Sequence, residues 1–292
     1  MRNVLRKPEW LKSQKLGARK AREIIKNLRV HNLHTVCENA KCPNQGECFE
    51  RGTATFMILG ETCTRNCNFC AVDKTEGKLV QPDKTEPARI AELAKELKLN
   101  HVVITTVTRD DLPDGGASQF IEVINQIKKI CGKDVSVEIL TSDFNGDLEQ
   151  VDNVLSAAPD VFNHNIETIP RLYPEVRRMA DFQRSLNVLD RANKSSVPVL
   201  TKSGFMVGLG ESKEEVLSLM QKLREVEVDI VTIGQYMQPS KEHYPVKEYV
   251  HPDVFKYYQE EGEKMGFQIV ESAPLVRSSY HAEKARKLIT KS

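Results

Sequence analysis

From about Thr53 onward, short β-branched and apolar runs alternate with longer segments whose apolar positions recur three and four residues apart. His101-Val102-Val103-Ile104-Thr105-Thr106 is of the first kind, an unbroken run that suits a strand buried on both faces. Phe120, Ile121, Ile124, Ile127 and Ile130 are of the second, the apolar stripe of an amphipathic helix. The runs predict strands at 55–59, 101–106, 135–140, 160–166, 198–207 and 229–235. The periodic segments predict helices at 87–97, 117–131, 147–156, 181–194 and 213–226. Strands that alternate with helices pair in parallel through helical crossovers. The expected fold class is therefore α/β, with six units curling into a partial (β/α)6 TIM-like barrel. A flat doubly wound sheet is the second option, and neither a G-x-G-x-x-G fingerprint nor a P-loop follows the first strand to support it.

The flanks read differently. Residues 1–29 hold ten Lys or Arg against two acids, Glu9 and Glu23, and Ala21, Ile24, Ile25 and Leu28 predict an amphipathic helix over 16–28. Its basic face is either a solvated surface or a dock for an acidic protein partner. After Pro239 a helix at 253–265 and a short strand at 267–270 lead into a basic tail. The expected division is an N-terminal extension over 1–52, a barrel over 53–239 and a C-terminal extension over 240–292 that covers the site.

With 40 % hydrophobic and 28 % charged residues among 292, the chain can bury a substantial core. A formal net charge of +1 creates no global attraction to nucleic acid or membrane surfaces. No apolar run approaches the roughly 20 residues of a spanning helix, and the basic N-terminus lacks the apolar core of a signal peptide. These features predict a soluble, cytoplasmic protein.

Six of the seven cysteines fall in two triplets within residues 37–70, and clustering of that kind points to metal rather than to a disulfide framework. Cys131 ends a helical stripe and reads as a small buried hydrophobe. Cys63, Cys67 and Cys70 have C-x3-C-x2-C spacing directly after Phe56-Met57-Ile58-Leu59. Three thiolates on one loop hold three irons of a [4Fe-4S] cluster and leave the fourth open to a ligand. A zinc knuckle with a distant fourth ligand fits the same spacing. Cys37, Cys42 and Cys48, earlier in the chain, form the first triplet, with C-x4-C-x5-C spacing, in which Pro43 and Gly46 supply turns.

In (β/α) barrels the site lies at the C-terminal ends of the strands. The polar segments 63–70, 109–116, 163–168, 206–211 and 235–239 all fall there. His31, His34 and His243 read as ordinary polar residues, and Leu112-Pro113-Asp114-Gly115-Gly116 as a turn whose glycines let backbone approach a ligand.

Both triplets, the segments 109–116, 163–168 and 234–239, and the terminal Arg277-Ser278-Ser279-Tyr280-His281-Ala282 together resemble the lipoyl synthase family of radical S-adenosylmethionine enzymes over nearly the whole chain. The C-x3-C-x2-C triplet alone is common to the whole superfamily, and the first triplet with the terminal motif is the specific part. The resemblance implies that Cys63, Cys67 and Cys70 hold a [4Fe-4S] cluster whose open iron chelates S-adenosyl-L-methionine. It implies that Cys37, Cys42 and Cys48 hold an auxiliary [4Fe-4S] cluster, with Ser279 rather than Ser278 as fourth ligand, and that this cluster donates sulfur. The catalytic set is then Cys63, Cys67, Cys70 and Ser279. Asn165 and Glu167 match residues that touch the nucleoside ribose in related enzymes. Arg184 fits the methionine carboxylate by its geometry, or is a surface helix arginine. Arg109, Asp110 and Asp111 are candidates to orient substrate.

The implied substrate is an octanoyl chain on a lysine of a lipoyl carrier domain, of the glycine cleavage H protein or E2 subunit type, receiving sulfur at C6 and C8. The implied partners are that carrier, a reductase or a ferredoxin or flavodoxin as electron donor, and an iron-sulfur carrier that rebuilds the auxiliary cluster. Nucleic acid and membrane partners are not expected. Biotin synthase, a two-cluster electron-transfer protein and a zinc-binding module are the alternatives.

Overall fold

The computed structural model describes residues 6–11, 18–35, 37, 42, 44–74 and 79–289. One sheet of eight strands runs β1 to β8 in sequence order. The seven strands β2 (Thr53–Ile58), β3 (His101–Thr106), β4 (Ser136–Leu140), β5 (Val161–Asn163), β6 (Leu200–Val207), β7 (Ile230–Gln235) and β8 (Ile269–Ser272) are parallel. The six expected units are present as a partial barrel, and the strand expected at 267–270 adds to them as a seventh parallel strand on β7. The two-residue β1 (His34–Thr35) pairs antiparallel with Phe56 and Met57 on the other edge. Two residues are too short to give a period, so the sequence pattern does not reveal it.

Helices α1 (Ala18–Val30) and α2 (Gln45–Glu50) precede the barrel. Leu16 and Gly17 of the helix expected at 16–28 lie outside the described residues. The crossovers are α3 (Glu86–Glu96), α4 (Ala117–Cys131), α5 (Leu148–Ser156), α6 (Tyr173–Val176) with α7 (Phe182–Asn193), α8 (Lys213–Glu225) and α9 (Pro252–Met265). In α4 the stripe Phe120, Val123, Ile124 and Ile127 is fully buried against the sheet, at about 1.5–3 kcal/mol per side chain. A reciprocal capping box between Ser212 and Glu215 starts α8. Gly266 in the left-handed region, at φ 92°, ends α9.

Expected and observed strands agree within two residues except at β5. There 160–166 was the expectation, yet the ladder ends at Asn163. His164 to Thr168 departs from it, rejoining β6 through a Glu167–Phe205 bridge, and Glu167 takes a left-handed φ of 67°. The last short helix, α10 (Arg286–Ile289), carries Ile289 against Val161 and Ile230 at the N-terminal mouth of the barrel. Among the described residues no helix is long and apolar enough to cross a membrane.

Candidate functional site

The sheet's C-terminal edge opens into a cavity of about 360 Å³ faced by all six cysteines of the two triplets. A second cavity of about 660 Å³ adjoins it toward β6 and β7, and Cys70, Glu167 and Arg277 face both. Of the expected polar strand ends, 63–70, 163–168 and 235–239 converge on these cavities, 206–211 reaches them at Met206, and 109–116 lines neither.

The loop after β2 is held by backbone on both sides. The Cys63 amide donates to the Asp73 carbonyl at 2.9 Å, the Thr64 amide to Thr108 at 3.0 Å and the Asn68 amide to Val176 at 2.9 Å. Arg65, between the first two cysteines, is buried and ion-paired to Asp110 at 2.7 Å and to Asp143 at 2.6 Å. Burial alone would raise the Asp143 carboxyl, but Arg65 holds it down at about 2. His243 donates from Nε2 to the Cys70 carbonyl at 2.9 Å and so braces the loop from the C-terminal side.

Burial pushes the Cys67 and Cys48 thiols up to about 12 and raises Cys70 as well. Cys37 is raised by its hydrogen bond to Cys42 and by burial, and that same bond lowers Cys42 to about 6. Buried thiols of this kind ionise once a cation is bound. Among the described residues no three His, Cys, Asp or Glu side chains converge closely enough to hold a single ion. Two sets of three thiols facing one cavity are a donor set that suits iron-sulfur groups.

The C-terminal segment lies across the cavity because two glycines admit it. A Cβ on Gly234 would stand 2.2 Å from the Val276 carbonyl oxygen, and one on Gly204 would stand 3.0 Å from Asn165 Oδ1 and 3.3 Å from Ser278 Oγ. Polar contacts then tie the segment to the first triplet's surroundings. Asn44 donates to the Leu275 carbonyl at 2.6 Å, Tyr280 to Glu47 at 3.2 Å and Thr53 to Glu283 at 3.2 Å. Ser278 Oγ accepts from Asn165 Nδ2 at 2.7 Å. Ser279 also faces the cavity.

The model of the Radical SAM superfamily matches residues 57–223. Lipoyl synthase of Caldicellulosiruptor saccharolyticus is 55 % identical over 97 % of this chain and 99 % of its own length. That of Caldanaerobacter subterraneus subsp. tengcongensis is 54 % identical over 96 % and 97 %. The chain belongs to the lipoyl synthase family. Among solved structures, Streptococcus suis SuiB bound to S-adenosylmethionine superposes with a TM-score of 0.58 at 15 % identity, covering 87 % of this chain and 55 % of SuiB. That likeness concerns the fold. Membership of the lipoyl synthase family and of the radical superfamily makes this a radical enzyme that uses a [4Fe-4S] cluster and S-adenosylmethionine.

Around this cavity the side-chain expectations fare unequally. Asn165 and Glu167 face the cavity, with Asn165 Nδ2 donating to Glu167 Oε1 at 3.0 Å. Asn165 Oδ1 is buried with no hydrogen-bond partner among the described residues, an acceptor that a ligand hydroxyl would satisfy. Burial raises the Glu167 carboxyl. Arg184 is not in the cavity wall. It donates to Asn145 at 2.9 Å and lies 3.6 Å from Asp143, because its helix starts at the Asp181 cap and turns that face toward the loop after β4.

Arg65, Arg177 and Arg277 do reach the cavity, and of these Arg177 stands beside Glu167, held by Tyr173 Oη at 3.1 Å and Ser185 Oγ at 3.0 Å. Sequence reasoning missed it, since no periodic pattern marks the turn between α6 and α7. Arg109 and Asp111 pair with each other, and Arg109 also donates to the Leu59 carbonyl at 3.1 Å. With Asp110 on Arg65, all three brace loops outside the cavity wall. His31 pairs with Glu96 at 3.4 Å.

Proposed function

We propose that this protein inserts two sulfur atoms, at C6 and C8, into an octanoyl group carried on a lysine of a lipoyl carrier domain. The observation that carries the reading is that both cysteine triplets and Ser279 face one cavity at the strand ends. In this reading Cys63, Cys67 and Cys70 hold the radical-generating [4Fe-4S] cluster. Cys37, Cys42 and Cys48 with Ser279 hold an auxiliary [4Fe-4S] cluster that donates sulfur. Held by Cys63, Cys67 and Cys70 and bound with S-adenosylmethionine, such a cluster would supply the one-electron chemistry that gives a 5′-deoxyadenosyl radical able to abstract hydrogen from unactivated carbon.

The chain's own residues bind, orient and keep the site dry. Asn165 Oδ1 and Glu167 accept hydroxyl protons from the nucleoside. Arg177 rather than Arg184 takes the methionine carboxylate, because it is the one of the two that faces the cavity. Ser279 suits the fourth ligand position better than Ser278, whose oxygen already accepts from Asn165. The extension over 240–292 shields the site, with Tyr236 Oη donating to Tyr244 O at 2.7 Å to hold the segment that covers the loop. The partners in this reading are an octanoylated H protein or E2-type carrier, a reductase or a ferredoxin or flavodoxin donor, and an iron-sulfur carrier for rebuilding.

The test is anaerobic incubation with dithionite, S-adenosylmethionine and an octanoyl-lysyl peptide, read by mass spectrometry. The expected product gains two sulfur atoms. Formation of 5′-deoxyadenosine with no sulfur in the peptide would count against lipoyl synthesis while keeping the radical class.

A further inference from the structure

Arg65, Arg177 and Arg277 all face the cysteine-lined cavity, yet they are neutralised unequally. Arg65 spends its charge on two carboxylates, Asp110 and Asp143. Arg177 stands near Glu167, and the field of that carboxylate acts on it. Arg277 has neither arrangement. Its Nη1 donates to the Val276 carbonyl at 2.6 Å and the Gln235 carbonyl at 3.4 Å, and among the described residues no carboxylate pairs with it. The one side chain whose charge acts back on it is Cys42, of the first triplet.

A guanidinium half-buried in a cavity wall and held only by neutral carbonyls keeps its charge available to an anion in that cavity. Two strand-end features fix it where it is. Gly234 lets the Val276 carbonyl close onto β7, and a Cβ there would come within 3.4 Å of Arg277 Nη1. The Val276 side chain is buried beneath, so the backbone that receives the guanidinium does not swing freely.

We infer that Arg277 is the counter-charge of the anionic group held by Cys37, Cys42 and Cys48, and that it sets that group's reduction potential above the value it would have beside a neutralised cation. This rests on the reading of the first triplet as a cluster site. A positive charge in a low-dielectric wall favours the more reduced, more negative state of a neighbouring group. The second triplet has its own nearby cation in Arg177, whose charge acts on Cys67, but Arg177 also lies in the field of the Glu167 carboxylate, and Arg65 in the triplet's loop is already paired twice.

The test uses the full chain with Cys63, Cys67 and Cys70 all replaced by Ala, so that only the first triplet can be loaded. Anaerobic reconstitution is followed by iron and sulfide analysis and by a redox titration read by electron paramagnetic resonance. About four irons and four sulfides are expected; their absence in this parent would overturn the cluster reading itself. In that background Arg277→Gln is expected to keep the irons and shift the midpoint potential downward, while Arg277→Lys restores most of the shift. An unchanged potential with the irons retained overturns the counter-charge and leaves the cluster reading standing. Should Arg277→Gln lose iron while Arg277→Lys keeps it, the charge is required and the inference holds. Loss in both would show that the shape of the guanidinium matters rather than its charge, and would overturn it.

Discussion

Asn165 at the end of β5 and Ser278 in the C-terminal segment are joined by a 2.7 Å hydrogen bond, although 113 residues separate them in sequence. The same amide nitrogen donates to Glu167 at 3.0 Å. One side chain thereby couples the cavity-facing end of β5 to the segment that bears Ser279. The two serines of Arg277-Ser278-Ser279-Tyr280 thus have different neighbours, and their roles separate experimentally.

Ser279→Ala is expected to retain 5′-deoxyadenosine formation and the radical cluster but to lose sulfur insertion by at least about tenfold, the factor that 1.4 kcal/mol represents. Ser278→Ala removes only the acceptor for Asn165 and costs about 1 kcal/mol of stability, with iron content unchanged. Iron analysis, product mass spectrometry and thermal melting on both variants check this. Equal effects on iron in the two variants would remove the distinction.

Gly234→Ala sets a methyl group 2.2 Å from the Val276 carbonyl oxygen, a distance that no rotamer relieves. The C-terminal segment must lift. The expected result is loss of the auxiliary irons, from about eight per chain to about four, with the second triplet's cluster intact. Retention of all irons would mean that the segment does not close the first triplet's site.

Most of the barrel was legible because parallel strands buried on both faces read as unbroken apolar runs, and the run 101–106 matches β3 residue for residue. The site was legible where thiols announced it, at 37–48 and 63–70. It was not legible where function departs from periodicity. The β5 run overshot because His164 to Thr168 keeps a strand-like composition while leaving the ladder, with Glu167 strained into the left-handed region. Arg177 lies at the end of a four-residue helix that carries no pattern. Arg184, on a well-patterned helix, drew attention because a regular helix is what sequence periodicity detects.

The exchange of roles between those two arginines is open to direct test. Arg177→Met is expected to weaken S-adenosylmethionine binding by more than about tenfold, since a charge-assisted hydrogen bond is worth about 1.5–3 kcal/mol. Arg184→Met, which loses contacts only to Asn145 and Asp143, is expected to leave the affinity within about twofold. Equilibrium dialysis on the cluster-loaded variants, with melting curves to exclude unfolding, decides between them. A reversed order would return the carboxylate to Arg184.

The deepest charges in the barrel set its acid stability. Lys202 Nζ lies 2.9 Å and 3.0 Å from the two oxygens of Glu138, which also accepts from Asn163 Nδ2 at 2.9 Å. Both charged side chains are buried. Burial would raise the Glu138 carboxyl, but Lys202 and His101 hold it down at about 2. A folded-state value below the unfolded one gives stability that is complete above the ordinary carboxylate range and is lost as pH falls toward 2. The amount is about 3 kcal/mol at one pKa unit per 1.36 kcal/mol. Denaturant melts are therefore expected to show the loss beginning below about pH 5. Glu138→Gln strands the Lys202 ammonium and costs about 3–5 kcal/mol at neutral pH, whereas Glu138→Leu with Lys202→Met regains most of it. The double variant should also lose this part of the pH dependence, and one that kept the full acid transition would place its origin elsewhere.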